Sequence, residues 1–106
     1  MDMDPIPTNT EVAHVFLQIA QILERQGENH FKIRAYRNAV RTLESLSEPI
    51  AEPIAEINAR GELRNIAGFG DAIVGKTQEI LLTGTCALYE RLKAEEAAKS
   101  ETEVSL

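Results

Sequence analysis

The chain has 106 residues, 43% of them apolar and 26% charged, with a formal net charge of −6. That length holds one small domain with one core, and the excess of acid argues against a generic polycation that coats nucleic acid, because counterion release rewards Lys and Arg. With one cysteine and two histidines, neither an internal disulfide nor a cluster of metal ligands is expected. No run is long enough to span a membrane, and MDMDPIPTNT lacks the regions of a signal peptide, so the cytosol is the expected location.

The acids gather toward the ends, at Asp2, Asp4 and Glu11 and again at Glu95, Glu96, Glu101 and Glu103. None lies between Glu28 and Glu44, so the centre, with Lys32, Arg34, Arg37 and Arg41, is basic although the chain is acidic.

Residues 1–8 contain Pro5 and Pro7 and read as a flexible lead-in. Asp2 and Asp4 have a metal-binding spacing only on paper, since two carboxylates on a floppy terminus are not preorganised. Thr8 or Asn9 supplies an N-cap, and Glu11 makes a capping box with Thr8. The first helix carries Val12, Val15, Phe16, Ile19, Ile22, Leu23 and Gln26 at helical spacing, places His14 on the other face, and ends at Gly27.

A second helix is expected from about Asn29 to about Leu46. At about 100° per residue, Ile33, Tyr36, Ala39, Val40 and Leu43 form one arc, and Arg34, Arg37 and Arg41 form an adjoining one. Charged faces that meet only solvent usually alternate in sign. This one does not, and arginines in register can fork onto phosphates.

The tandem PIAE at 49–52 and 53–56 is too short to mean a solenoid. A turn is expected from Pro49 and a helix with Pro53 at its first position, with Ile50, Ile54 and Ile57 on its apolar face. Gly61 stops it, and a short helix from Glu62 to Ile66 leads into a tight turn, Gly68-Phe69-Gly70. The two glycines permit positive φ and close approach of another backbone, and the helix that follows, about Asp71 to Leu82, opens with amides lacking intrahelical partners. The turn therefore reads as a phosphate seat made of backbone, with Phe69 as an apolar plug beneath it. The alternative is an ordinary turn between helices.

In the helix after the turn, Ile73, Thr77, Ile80 and Leu81 face inward. Lys76 falls about 60° from Ile73, at the rim of that stripe and one turn before Glu79, with which a surface ion pair is expected. Thr83-Gly84-Thr85 breaks the chain, and a last helix from Thr85 to about Lys99 packs Leu88, Tyr89 and Leu92, with Cys86 half-buried. The folded domain is assigned to 9–94, and 95–106 to a loose acidic tail. The fold class is all-α, a small bundle of five to six short helices.

The string IAGFGDAIVGKTQEIL resembles the helix-hairpin-helix motif of DNA repair proteins, in which a hydrophobic-x-Gly-hydrophobic-Gly turn holds a backbone phosphate; here the motif spans about 62–82. Upstream, GENHFKIRAYRNAVRTLESL is similar to the second helix of the amino-terminal helical domain of family X DNA polymerases, the family of polymerase β, and bacterial members resemble it most. The resemblance runs from about Asn9 to about Lys93, with both motifs in the family's order and spacing. It implies sequence-independent binding of gapped or abasic duplex DNA in repair, in the bacterial cytosol or nucleoid. With the arginine ridge it gives a DNA-binding set of Lys32, Arg34, Arg37, Arg41, Arg64, Gly68, Phe69 and Gly70.

The resemblance also implies that Lys76 is the lysine that attacks the aldehyde of an abasic sugar to form a Schiff base, and that Tyr36, followed by Arg37, lines the pocket beside it. No cofactor is required by it, but backbone carbonyls of Arg64, Ile66 and Phe69 match those that hold a monovalent cation, Na+ or K+, at the hairpin. Two family basic positions, four residues before the Schiff-base lysine and about twelve after it, are Ala72 and Leu88 here. A weaker hold on a 5′-phosphate and weak lyase activity follow from that. Nothing after residue 93 resembles a palm or fingers, so no polymerisation is expected, and a protein partner would supply other repair activities. The competing reading is a non-catalytic protein-interaction domain that keeps the fold but has lost DNA binding.

Overall fold

The computed structural model describes residues 6–47 and 51–104, with side chains described as far as residue 99. Asp2, Asp4, Pro5, Pro49 and Ile50 lie outside the described residues. The first helix, α1 (Asn9–Arg25), opens on the expected capping box: the Glu11 N–H donates to the Thr8 hydroxyl at 3.1 Å and the Thr8 N–H to the Glu11 carboxylate at 2.8 Å. Two amides that the helix leaves orphaned are thus satisfied. The second helix, α2 (His30–Ser45), starts one residue after its cap, Asn29, whose side-chain oxygen accepts the Phe31 N–H at 2.7 Å.

These two helices make the largest interface in the molecule, and their periodic apolar faces are why. Val12, Phe16 and Ile19 of α1 are fully buried, as is Leu43 of α2, and the Phe16 and Tyr36 rings meet at 5.8 Å in a tilted pair. Burying one such side chain stabilises by about 1.5–3 kcal/mol, so this seam anchors the fold. His14 is exposed, on the face opposite the core.

A third helix, α3 (Ile54–Ala59), begins one residue later than expected, with Pro53 as its extended N-cap rather than its first helical residue. Proline has no side chain with which to cap. Asn9, buried at the start of α1, does it from a distance: its Oδ1 accepts the Ile54 N–H at 2.7 Å, while its Nδ2 donates to the Glu52 carbonyl at 2.9 Å. The helix expected over 62–66 is a single 3₁₀ turn, Leu63–Asn65, because Ile66 already turns extended and leaves no room for a helical ladder.

The fourth helix, α4 (Asp71–Thr83), buries Ile73, Val74, Thr77 and Ile80, and the Thr77 hydroxyl satisfies itself on the Ile73 carbonyl at 2.7 Å. The fifth, α5 (Ala87–Val104), begins two residues after Thr85, covers the helix expected as far as about Lys99 and runs on to residue 104, so the described part of the tail assigned to 95–106 is helical and not loose. No Gly or Pro follows Gly84, Ala and Glu are abundant there, and the helix is tied back to the end of α1. Arg25 Nε donates to Glu96 at 3.0 Å and Gln26 Nε2 to Glu95 at 3.1 Å. The described residues are thus all-α, with five α-helices and no strand. No described helix is long and apolar enough to cross a membrane.

Candidate nucleic-acid interface

Between the 3₁₀ turn and α4 the chain reverses in five residues, 66–70. The Phe69 N–H donates to the Ile66 carbonyl at 3.0 Å, and Gly68 takes φ +84°, a left-handed backbone that costs other residues about 1–3 kcal/mol. Gly70 is not used that way. Its φ of −83° and ψ of −177° suit any residue, and a side chain there would meet no protein atom within 4 Å. Of the two glycines, only Gly68 is required by the backbone; Gly70 leaves the space in front of α4 open. Phe69 is buried, 5% exposed, and plugs the turn from below.

The first helical bond of α4 runs from the Val74 N–H to the Gly70 carbonyl at 2.9 Å, so the amides of Asp71, Ala72 and Ile73 precede the ladder, and no side chain caps them. Such an end attracts anions through its N–H groups and the helix dipole. The Asp71 carboxylate, in the first turn, offsets part of that field and forms an ion pair with Arg64. The Arg64, Ile66 and Phe69 carbonyls are hard oxygen donors of the kind that suits Na+ or K+. That of Ile66 already accepts the Phe69 N–H and keeps one lone pair.

The first two turns of α4 also form one wall of a cleft of about 420 Å³, to which they give Ala72, Ile73 and Lys76. The end of α1 and the loop after it give Leu23, Gln26 and Glu28, and α2 gives Lys32, Ala35 and Tyr36. The last wall is α5, with Leu88, Arg91 and Glu95. Lys76 and Tyr36, distant in sequence, are thereby brought into one cleft together with Lys32.

The expected Lys76 partner is engaged elsewhere. Glu79 Oε2 accepts the Ala87 N–H at 2.9 Å, capping α5, where a carboxylate is favoured by the helix dipole, and Lys76 makes no ion pair with a described residue. Burial, and secondarily the Cys86 thiol, pushes the Tyr36 hydroxyl up to about 12, so at neutral pH it is a neutral phenol with a proton to share in a hydrogen bond and not a base. Cys86 is fully buried rather than half-buried, and that burial pushes its thiol up as well. It packs in the core, where burial disfavours the thiolate.

The basic residues outside the cleft divide into held and free. Arg37 Nη2 donates to Glu24 of α1 at 2.7 Å. Arg34 and Arg41 are exposed and make no ion pair with a described residue. They stand about 160° and 140° round α2 from Tyr36, so the ridge they form is not a wall of the cleft. Among the described residues no three His, Cys, Asp or Glu side chains gather as a metal site.

A protein-family model described as a helix-hairpin-helix domain matches residues 7–86. The chain belongs to this family. No curated protein matches it. Helix-hairpin-helix domains are generally involved in DNA binding without sequence specificity. In this one the matched span takes in the hairpin, α2 with its arginines, and Lys76, and it stops before Leu88, Arg91 and Glu95.

That last wall of the cleft is also where sequence reading fell short. Arg91 was not among the candidate residues, although it follows Leu88 by one helical turn and therefore shares its side of the helix. Gln26 lies on the inward stripe of the first helix, but nothing in the sequence joins it, Glu28 and Glu95 to a site, because their place in the cleft depends on how α1 and α5 dock.

Proposed function

We infer that this helix-hairpin-helix domain is a DNA repair module of the kind found at the amino terminus of family X polymerases, which holds gapped or abasic duplex DNA by its backbone. One phosphate sits on the open amides at the start of α4, in front of Gly70, with Arg34 and Arg41 meeting neighbouring phosphates from the outer face of α2. Contacts of this kind are blind to base sequence and weaken with salt. A Na+ or K+ ion on the Arg64, Ile66 and Phe69 carbonyls would bridge the hairpin to phosphate.

Lys76 adds a Schiff-base abasic or deoxyribose-phosphate lyase activity. The observation that carries this reading is that Lys76 lines a concave cleft with no ion-pair partner among the described residues, its neighbour Glu79 being held by Ala87. In the unprotonated form, its Nζ adds to the C1′ aldehyde of a ring-opened abasic sugar, and loss of water gives the imine. The protonated imine draws electrons from C2′; a water takes the C2′ proton, the C–H electron pair forms the C2′–C3′ double bond as the C3′–O bond breaks with departure of the 3′-phosphate, and hydrolysis of the imine returns the amine and the unsaturated aldehyde. Tyr36, as a neutral phenol, orients the sugar by donating a hydrogen bond. Ala72 and Leu88 contribute no charge to the cleft, so the reaction is slow.

The test is trapping with sodium borohydride on abasic duplex DNA. A covalent adduct is expected from the native chain and from Lys93→Ala, whose ammonium is occupied by Glu90 at 3.1 Å and by the Tyr89 ring, and none from Lys76→Ala. Absence of an adduct from native protein that demonstrably binds the same DNA rules the lyase out and leaves a binding module. A second reading, a protein-interaction domain, is favoured by the exposure of Phe31 and Leu82, 80% and 85% accessible. It prevails if gapped duplex is not bound even at low salt.

A further inference from the structure

The cleft holds three cationic side chains, Lys32, Lys76 and Arg91, and two carboxylates, Glu28 and Glu95. The acids stand against two of the cations. Lys32 Nζ lies 3.8 Å from Glu28, and Arg91 Nε lies 3.6 Å from Glu95 Oε2. Glu95 is anchored independently, since its other oxygen accepts a hydrogen bond from Gln26 Nε2 at 3.1 Å. A carboxylate is therefore fixed at the cleft wall by α1 while facing the guanidinium of α5.

The contact between the charges is poor. At 3.6 Å it is beyond hydrogen-bond length, and both side chains are open to solvent, 67% and 47% exposed. Pairs of this kind hold only weakly. A phosphate offers the guanidinium two short, charge-assisted bonds in a fork, which the single carboxylate oxygen does not. Exchange of one anion for the other favours the phosphate.

We propose that Arg91 is a phosphate-binding residue of this cleft and that Glu95, anchored by Gln26, is the resident anion a phosphate displaces from it. The inference rests on the DNA-binding reading above for the source of the phosphate. It accounts for how a cleft with apolar residues at Ala72 and Leu88 still receives an anion: the charge comes from one helical turn further along α5. It also gives Glu95 a tuning role, because the cleft carries one net positive charge with that carboxylate present and two without it.

The experiment is a titration of 5′-phosphorylated gapped duplex at low salt against Arg91→Gln, Glu95→Gln and the double variant, with helicity checked by circular dichroism. Glu56→Gln, an exposed acid of α3 outside the cleft, controls for net charge. Arg91→Gln is expected to weaken binding about three- to tenfold, and Glu95→Gln to tighten it about two- to fivefold, a gain that vanishes when residue 91 is Gln. Unchanged affinity in Arg91→Gln overturns the first part. Tightening that persists in the double variant, or that Glu56→Gln reproduces, overturns the second.

A second arm separates this inference from the DNA reading, using inorganic phosphate and the NMR signal of the Arg91 side-chain Nε–H. If duplex is not bound but phosphate moves that signal, and moves it more in Glu95→Gln, the DNA reading fails and the anion site stands. If duplex binds while the signal stays still with both probes, the site is wrong and the DNA reading stands. No response in either arm overturns both.

Discussion

The hairpin and the cleft share the first turns of α4, yet they are made of different material. At the hairpin the groups available to a phosphate are backbone amides in a frame held by Gly68 and by the buried Phe69 ring. No side chain caps them here, and they do not titrate. In the cleft the groups are side chains, and two of the three cations already face carboxylates. A chain of net charge −6 gains from this division. Fixed dipoles attract phosphate with no excess of Lys or Arg, while compensated side chains keep the total field from recruiting polyanions indiscriminately.

The sharpest way to break that comparison is to fill the space in front of the amides. Gly70→Val is expected to fold, because φ and ψ at 70 suit valine and no protein atom lies within 4 Å of the new Cβ. Affinity for gapped duplex should fall by about tenfold or more, as one charge-assisted hydrogen bond is worth about 1.5–3 kcal/mol. Gly70→Ala should lose less. A folded Gly70→Val protein that binds as well as the native chain would show that DNA is not held at the hairpin, whatever the cleft does.

A smaller effect is expected at the ridge on α2. Arg37 is committed to Glu24, so the two arginines to remove together are Arg34 and Arg41, which face solvent without an ion-pair partner among the described residues. If each neutralises one phosphate, replacing both by Gln lowers the slope of log affinity against log salt by about 1.8 and weakens binding several-fold near physiological salt. A slope that does not move places the ridge away from DNA. Borohydride trapping in the same variant should still give the Lys76 adduct at saturating DNA, since the ridge is not a wall of the cleft.

What could be read from the sequence follows the same line between backbone and side-chain partners. The capping box at Thr8 and Glu11, the apolar faces of α1 and α2 and the rim position of Lys76 all follow from local spacing, and all are found. Partner choice does not follow from it. Glu79 looked like the partner of Lys76 because the two are neighbours on one helix, but the reversal at Gly84 brings the uncapped Ala87 amide to the carboxylate. Arg37 finds an acid 13 residues back, across a helix interface, so the uniform sign of its own face said little about its state. Arg91 entered the cleft only once α5 was docked. The pairs at helical spacing, Lys32 with Glu28, Arg91 with Glu95 and Lys93 with Glu90, are open to local reading, but pairing between elements is decided by tertiary distance, to which a local pattern has no access.

The smallest effect is expected at Asp71, where the comparison can be sharpened rather than broken. Its carboxylate lies in the first turn of α4, beside the open amides, and Arg64 is paired with it. For the isolated helix this is favourable, since an acid at a helix N-terminus complements the dipole by a few tenths to about 1 kcal/mol. For an incoming phosphate it is unfavourable twice over, because it repels the ligand and occupies a cation beside the seat. Both side chains are well exposed, 68% for Arg64 and 84% for Asp71, so solvent screens most of either effect. Asp71→Asn should therefore cost the fold little, measurable as a slight fall in Tm, and tighten DNA binding about two- to threefold at low salt. Arg64→Gln in that background should return affinity toward the native value, because the gain comes partly from the released guanidinium. The hairpin and the cleft would then prove alike in one respect: each carries an acid that holds its binding below what its donors allow. Weaker binding in Asp71→Asn would mean instead that the carboxylate supports the hairpin frame, and the two regions would be as different as their materials suggest.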